Sequence, residues 1–423
     1  MSYLPCELHC HSVHSDGSFS VAELLRRAYD DHLALIALTD HNTVSGHGEL
    51  DDSITPAVPG IEWTTFFGHM LVLGARDFVD WRDAVPANID DKIDQVHAAG
   101  GLCGVAHPFQ LGSPICTGGR WAFDVQDWNR VDYLEVWHDA FGPDNGENVP
   151  ATELWKSLLD KGYHLPITYG RDWHRQSDRH FGVTYLNMEE PTAACALEAI
   201  RAGRTVVSFG AKFFFRVHRW GETYGIGDTL KRGRVIFSFF TDLHARRKDE
   251  SDEPVSYDTI RIITSGNKCV LETAVTERHA RLTLEPGHWY ICELWGTVGG
   301  EKQALAITSR YGASLLLAAQ QALPLFVVRQ HAFHQPVKGR GVVVVANVTQ
   351  LVHHHIVYGC LWVLHQVEGK ADAVLPVAGA KALFGTCYLD AGGGYAQNLA
   401  VIGHPRRQFR FGPAAQHFHF RFR

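Results

Sequence analysis

The chain has 423 residues, 45% of them hydrophobic and 20% charged, which is enough for more than one domain with a substantial core. A formal net charge of -7 gives no general attraction to polyanions, so neither a nucleic acid as a stable partner nor a membrane surface is expected. The start, MSYLPCELHC, has no basic segment followed by an apolar h-region, and the nine cysteines are scattered without a CxxC pair, so reduced thiols and a cytoplasmic location are expected.

Apolar runs ending in polar clusters then recur along the chain. A first strand ends in Glu7-Leu8-His9-Cys10-His11 and runs on to Ser15-Asp16-Gly17. Ser20-Val21-Ala22-Glu23 is a capping box opening a helix through Leu24, Leu25 and Ala28. LALIAL, residues 33–38, reads as a strand buried on both faces and ends at Thr39-Asp40-His41. Glu62 follows in PGIEWTT. A helix over about residues 90–99 stops at Gly100-Gly101, and the strand GLCGVA leads into His107. YLEVW leads to His138, a helix over about residues 152–161 stops at Gly162, and LPITYG leads to Asp172 and His174. In a parallel (β/α) barrel the C-terminal strand ends share one face, so these distant clusters would converge. Taken singly, each reads as well as a helix cap or a hydrogen-bonded core histidine.

After Gly210 the texture changes to short strands such as KFFFRVHRW, RVIFSFF and HWYICELW, read as a small β-sandwich packed on the barrel. The predicted organisation is therefore a domain over residues 1–210, a β-sandwich-like accessory domain over 211–311, and an unassigned, atypical or disordered tail over 312–423. In that tail the acidic side chains are Glu368, Asp372 and Asp390 alone, while His353-His354-His355 form a run.

His9 and His11, two apart on a strand, point to one face and can grip one ion, and a carboxylate such as Glu62 can bridge to a second. Nitrogen and oxygen donors without sulfur suit zinc, manganese or iron. Asp40 is read as orienting a histidine ligand from behind. His14, His47 and His97 are read as surface or helix residues, and His138 as a substrate contact or packing residue. Trp63, Phe66, Phe67, Trp137 and Trp173 are read as an aromatic rim for an aryl substrate or, equally, as core.

HCHSVHSDG, LIALTDHNTVSG, PGIEWTTFFGHMLVLG, VAHP and GRDWH, in this order, resemble the PHP superfamily, named for polymerases and histidinol phosphatases, over residues 4–210. IEWTT with GHMLVLG is most similar to the carbaryl-hydrolase-like branch. The resemblance implies an α/β fold, a distorted (β/α)7-type barrel with a C-terminal β-rich domain, and two or three divalent ions (Zn, Mn or Fe). It implies His9, His11, Glu62 and Asp172 around the first ion, Glu62, His107 and His69 around the second, and Asp16, His41 and His174 around the third. Glu62, Asp172 and His174 are the residues expected to be catalytic. Arg171 departs from the small residue found there in many members. The implied activity is a metal-dependent hydrolase, a phosphoesterase acting on a small-molecule ester through a metal-bridging hydroxide. Carbamate or carboxyl-ester hydrolysis and a noncatalytic metal-stabilised scaffold are the alternatives.

Overall fold

The His-x-His run builds the first strand, β1 (Ser2–Cys10), whose last five residues are all buried. In this computed structural model the described residues are 2–111, 119–139, 146–177, 181–245 and 255–314, with short strands beyond them. The chain clusters into one unit over Met1–Pro324 and another over Leu325–Arg423. In the second, Val344–Ala346, Leu361–Val367 and Lys370–Val374 form a three-stranded antiparallel sheet. Of the His353-His354-His355 run, His353 and His354 lie outside the described residues.

After β1, the capping box forms as expected. Ser20 Oγ accepts the Glu23 amide at 3.3 Å and the Glu23 carboxylate accepts the Ser20 amide at 2.8 Å, starting α1 (Val21–Asp30). The apolar face of α1, Val21, Leu24, Leu25 and Ala28, is buried. β2 (Leu35–Leu38) pairs in parallel with β1 and with β3 (Ala57–Thr65). β3 then turns through Phe66-Phe67 into the antiparallel β4 (Gly68–Leu73). α2 (Ile89–Ala98) precedes β5 (Leu102–Val105), which pairs antiparallel with β4 and parallel with β6 (Tyr133–His138). α3 (Asn148–Asp160) starts about a turn earlier than the sequence suggests and leads to β7 (Ile167–Gly170), parallel to β6. β8 (Val183–Met188), α4 (Ala193–Arg201) and β9 (Thr205–Ser208) follow, with β8 antiparallel to both β1 and β9.

The sheet curls until β7 returns beside β1. The Trp173 amide donates to the His9 carbonyl and the His11 amide to the Trp173 carbonyl, both at 3.0 Å, while Thr205 Oγ1 on β9 donates to the Ile167 carbonyl at 2.7 Å. Of the expected distorted (β/α)7-type barrel with a β-rich domain, the mixed α/β architecture is found, but a seven-fold strand–helix alternation is not found among the described residues. Four α-helices are found among the described residues, and β3–β4–β5 and β1–β8–β9 are antiparallel. The two-residue connection at Phe66-Phe67 leaves no length for the crossover that parallel neighbours need.

β10 (Lys212–Arg219), β11 (Glu222–Tyr224), β12 (Thr229–Lys231), β13 (Gly233–Asp242), β14 (Val255–Thr264), β15 (Lys268–Ala274), β16 (His279–Leu284), β17 (Trp289–Val298), β18 (Glu301–Thr308) and β19 (Tyr311–Ser314) complete the unit. β10, β11, β13 and β16 form a separate four-stranded sheet, whereas β18 pairs with β9 and so continues the first sheet into this segment. Phe213, Phe215, Phe237 and Phe239 pack in one cluster with Ile260, Ile262, Tyr290 and Leu294. None of the six described cysteines is in a disulfide. No helix among the described residues is long and apolar enough to cross a membrane.

Candidate metal centre

Alternation along β1 puts Glu7, His9 and His11 on one face, and all three are buried. His9 Nε2 lies 3.4 Å from Glu62 Oε2 and 3.3 Å from Asp172 Oδ1, and His11 Nε2 lies 3.5 and 3.1 Å from the same two atoms. All four atoms are buried and have no aligned hydrogen-bond partner. Four orphaned polar atoms converging at such distances are costly unless a cation sits among them, so the residues present fit a divalent ion bound by nitrogen and oxygen.

Glu62, on β3, faces further donors. His69 Nδ1 on β4 lies 2.9 Å and His107 Nε2 3.2 Å from Glu62 Oε1, a second ligand group. His41 Nδ1 comes within 2.7 Å of Glu62 Oε2 while its aligned partner is Thr64 Oγ1 at 2.6 Å. Asp16 Oδ1 lies 3.0 Å from His174 Nε2 and 3.5 Å from His41 Nε2, and these three gather with His11 as another group able to hold an ion. Thus all nine sequence-predicted ligands, His9, His11, Asp16, His41, Glu62, His69, His107, Asp172 and His174, come together in one region, with Glu62 between the groups.

Burial pushes His11 down to about 4, which leaves its ring neutral. Burial also opposes charge on His9, but Asp172, Glu62 and Glu135 together hold it well above its ordinary value. Against burial, the surrounding histidines keep Glu62 and Asp172 well below the usual carboxylate range, His9 foremost for both. His107 and Asp172 sit at φ 23° and 51°, left-handed conformations that non-glycine residues rarely adopt.

Some roles differ from the sequence reading. Asp40 orients no histidine: it accepts the Ser12 amide and the Ser12 and Ser15 hydroxyls at 2.7, 2.7 and 2.6 Å, pinning the loop that carries Asp16. A carboxylate beside a strand end can reach neighbouring loop hydroxyls as readily as an imidazole. Of the aromatics read equally as rim or core, Trp63 and Trp137 are core at 1% and 3% exposure, Trp173 at 2% borders the cleft beside Asp172, Phe67 is half-buried and Phe66 is 67% exposed. His14, His47 and His97 bind Ser45 and Glu49, the Gly60 carbonyl and Asp132 respectively, and join no ligand group. His138 is buried, with Nε2 2.8 Å from Glu147 Oε2 and its ring 5.5 Å from that of His107. A cleft of about 400 Å³ opens beside Asp172 and His174, with Asp16, Arg171, Arg175 and Phe181 among its walls.

Two carboxylates were given no role by the sequence reading. Glu135 Oε2 lies 3.1 Å from His9 Nδ1, and its other oxygen accepts the His107 amide at 3.2 Å, so it orients two ligands. Glu7 Oε1 accepts the His9 and Arg171 amides, both at 2.9 Å, and burial raises its carboxyl to about 8. The available signal was a lone acid inside an apolar strand: YLEVW for Glu135, and a position in step with His9 and His11 for Glu7.

No protein-family model matches the chain. A stretch of 91 residues is 44% identical to a Haemophilus influenzae protein named 5'-3' exoribonuclease; the match spans 22% of this chain and 30% of that protein. Among solved structures, a two-domain protein from Bacteroides vulgatus, described as containing a predicted PHP-like metal-dependent phosphoesterase, is similar with a TM-score of 0.42 and 17% identity over 73% of this chain and 95% of that one. An amidohydrolase from Chromobacterium violaceum is similar with a TM-score of 0.30 and 16% identity over 46% of this chain and 96% of that one.

Proposed function

We propose that the chain is a PHP-type metal-dependent phosphoesterase, and that its natural substrate is a phosphodiester of the kind found in RNA. The observation that carries this is the convergence of the unpaired His9, His11, Glu62 and Asp172 atoms, with the second Glu62 oxygen turned to His69 and His107. Glu62, facing both donor sets, would hold a divalent ion together with each of them. Divalent ions held there would supply Lewis acidity, acidifying a water and polarising the phosphoryl oxygen under attack.

The protein groups divide the remaining work. Glu62, His9 and His11 have fully buried side chains and fix the geometry, while the Asp172 side chain is 15% exposed. Asp172, held ionised and facing the cleft, is placed to accept the proton of the attacking water. His174, 20% exposed, borders the same cleft and orders its mouth with Asp16. The named activity of the Haemophilus relative favours a phosphodiester within RNA over a carbamate ester.

Elemental analysis of the purified protein, paired with hydrolysis of bis(p-nitrophenyl) phosphate, a 5'-phosphorylated oligoribonucleotide and 1-naphthyl methylcarbamate, tests the reading. Two or more ions per chain and phosphodiester turnover lost in His9→Ala are expected. Carbamate turnover alone would replace the phosphoesterase with a carbamate hydrolase, and metal binding with no turnover would leave a scaffold.

A further inference from the structure

We infer that the outward face of the four-stranded sheet β11-β10-β13-β16 is a binding surface for single-stranded RNA, separate from the metal centre. The pairing register defines that face. Phe214 lies opposite Phe240, Arg216 opposite Ser238 and then His279, His218 opposite Ile236 and then Arg281, and Arg234 opposite Thr283. Their inward neighbours, Phe213, Phe215, Val235 and Phe237, fill the core, so by alternation these residues lie on the other face, where Phe214 and Ser238 are covered and Arg216, Arg234, Ile236, Phe240 and Arg281 are exposed.

Two features mark the face. The first is aromatic: Phe214 is half-buried against Tyr3, itself 5% exposed, at 4.5 Å, and its ring stacks at 4.8 Å and 6° on that of Phe240, which is left 38% exposed with Arg216 5.5 Å from its ring centroid. Ile236 beside them is 39% exposed, and Trp220 on the β10–β11 turn is 86% exposed with the Arg219 guanidinium 4.0 Å from its ring. The second is charge. Arg216, Arg234 and Arg281 are exposed and make no ion pair among the described residues, although the chain as a whole is at -7. On β10, β13 and β16 the carboxylate aligned with this face is Asp242, and it lies opposite Lys212 at the far end.

Unpaired guanidinia interleaved with exposed rings on a sheet are what successive phosphates and unstacked bases require. Arg216, Arg234 and Arg281 sit on three neighbouring strands, at the register positions of Ser238, Arg234 and Ile236 on β13, so they are spread over the face and meet an extended chain rather than a single ion. Net charge averages over the surface and so hides this patch. The purpose of the face rests on the phosphodiester reading above, but its test does not.

The test measures fluorescence anisotropy of a labelled, unstructured, phosphorothioate-backboned 15-mer RNA with the full metal-loaded chain, across a salt series. Wild-type protein should bind in a salt-dependent way, and the triple variant R216A/R234A/R281A should bind at least about tenfold more weakly, its salt slope flattened by about two. Phe240→Ala should weaken binding by about tenfold with the slope unchanged. Hydrolysis of bis(p-nitrophenyl) phosphate should stay within about twofold in every variant, which reports folding as well. Equal RNA binding by wild type and the triple variant overturns the inference, as does binding to phosphatidylserine vesicles without binding to RNA. Loss of the phosphodiesterase reading would show as no turnover by wild type and leaves the anisotropy result standing by itself.

Discussion

Glu62 is the residue on which the centre turns, because its two oxygens serve different histidines from a fully buried position. Glu62→Gln keeps the size but puts an N–H where a cation or an imidazole must approach. Substituting groups behind the ligands costs about 10–100-fold in metal affinity or activity, so this ligand change should cost more than about 100-fold in phosphodiester turnover. Metal content by elemental analysis should fall below two per chain; a variant that retains both ions and turnover would remove Glu62 from the bridge. Arg171 acts one step back. Its guanidinium lies 3.8 Å from the Trp173 ring centroid and 3.7 Å from that of Phe181, and it donates to Asp31 at 2.9 Å, which clamps the segment holding Asp172 at φ 51°. Arg171→Met should weaken metal binding by about tenfold in a chelator competition, and Arg171→Lys should not restore it, because a lysine cannot stack flat between two rings. Wild-type affinity in the methionine variant would reduce Arg171 to core packing. The residues that converge here were legible because histidines and acids recurred at apolar strand ends. Glu135, Glu7 and the loop-pinning role of Asp40 were not, since they depend on which strands become neighbours.

At the scale of elements, the positions of strands and helices were readable, as were the parallel directions of β1-β2-β3 and β5-β6-β7, but the antiparallel directions of β4, β8 and β9 were not. The capping box at Ser20 and the glycine stops at Gly100 and Gly162, which sit at φ 84° and 93°, are local chemistry and form where the sequence puts them. An apolar run encodes burial but is silent about its partner's direction, which is why β4, β8 and β9 departed from a regular barrel. Close approach is equally invisible in one dimension. At Gly170, the end of β7, an added Cβ would meet Glu135 Oε2 at 1.9 Å and the His9 Cβ at 2.8 Å. Gly170→Ala should therefore displace His9 and its orienting carboxylate, destabilising the fold by about 1–3 kcal/mol in denaturant titration and weakening metal binding with it. Gly146→Ala, with nothing within 4 Å, is the matched control. Equal stability and metal affinity in the two variants would mean that β7 can retreat from β1 without cost.

For the whole molecule, the segment after Gly210 was legible as β-rich, but its junction with the barrel, β18 on β9, was not, because pairing between strands a hundred residues apart leaves no local mark. One buried group links the centre to global stability. Burial raises the Glu7 carboxyl from 4.5 to about 8, so the folded chain keeps a proton that the unfolded chain releases. The sign follows from linkage: this contribution is fully present below about pH 4.5 and is lost as pH rises through about 8. Its size is on the order of a few kcal/mol. Glu7→Gln removes the titration while keeping an oxygen able to accept the His9 and Arg171 amides. In chelator-treated protein, the Tm of this variant minus that of wild type should thus grow from about pH 5 to about pH 8 and level off above it. Taking the difference cancels the titrations of His9, Glu62 and Asp172, which both proteins share, and chelation removes the cations whose charge would favour ionised Glu7. Parallel Tm profiles across that range would show that Glu7 is ionised in the folded chain, its charge held by the two amides and by Arg171 rather than discharged by burial.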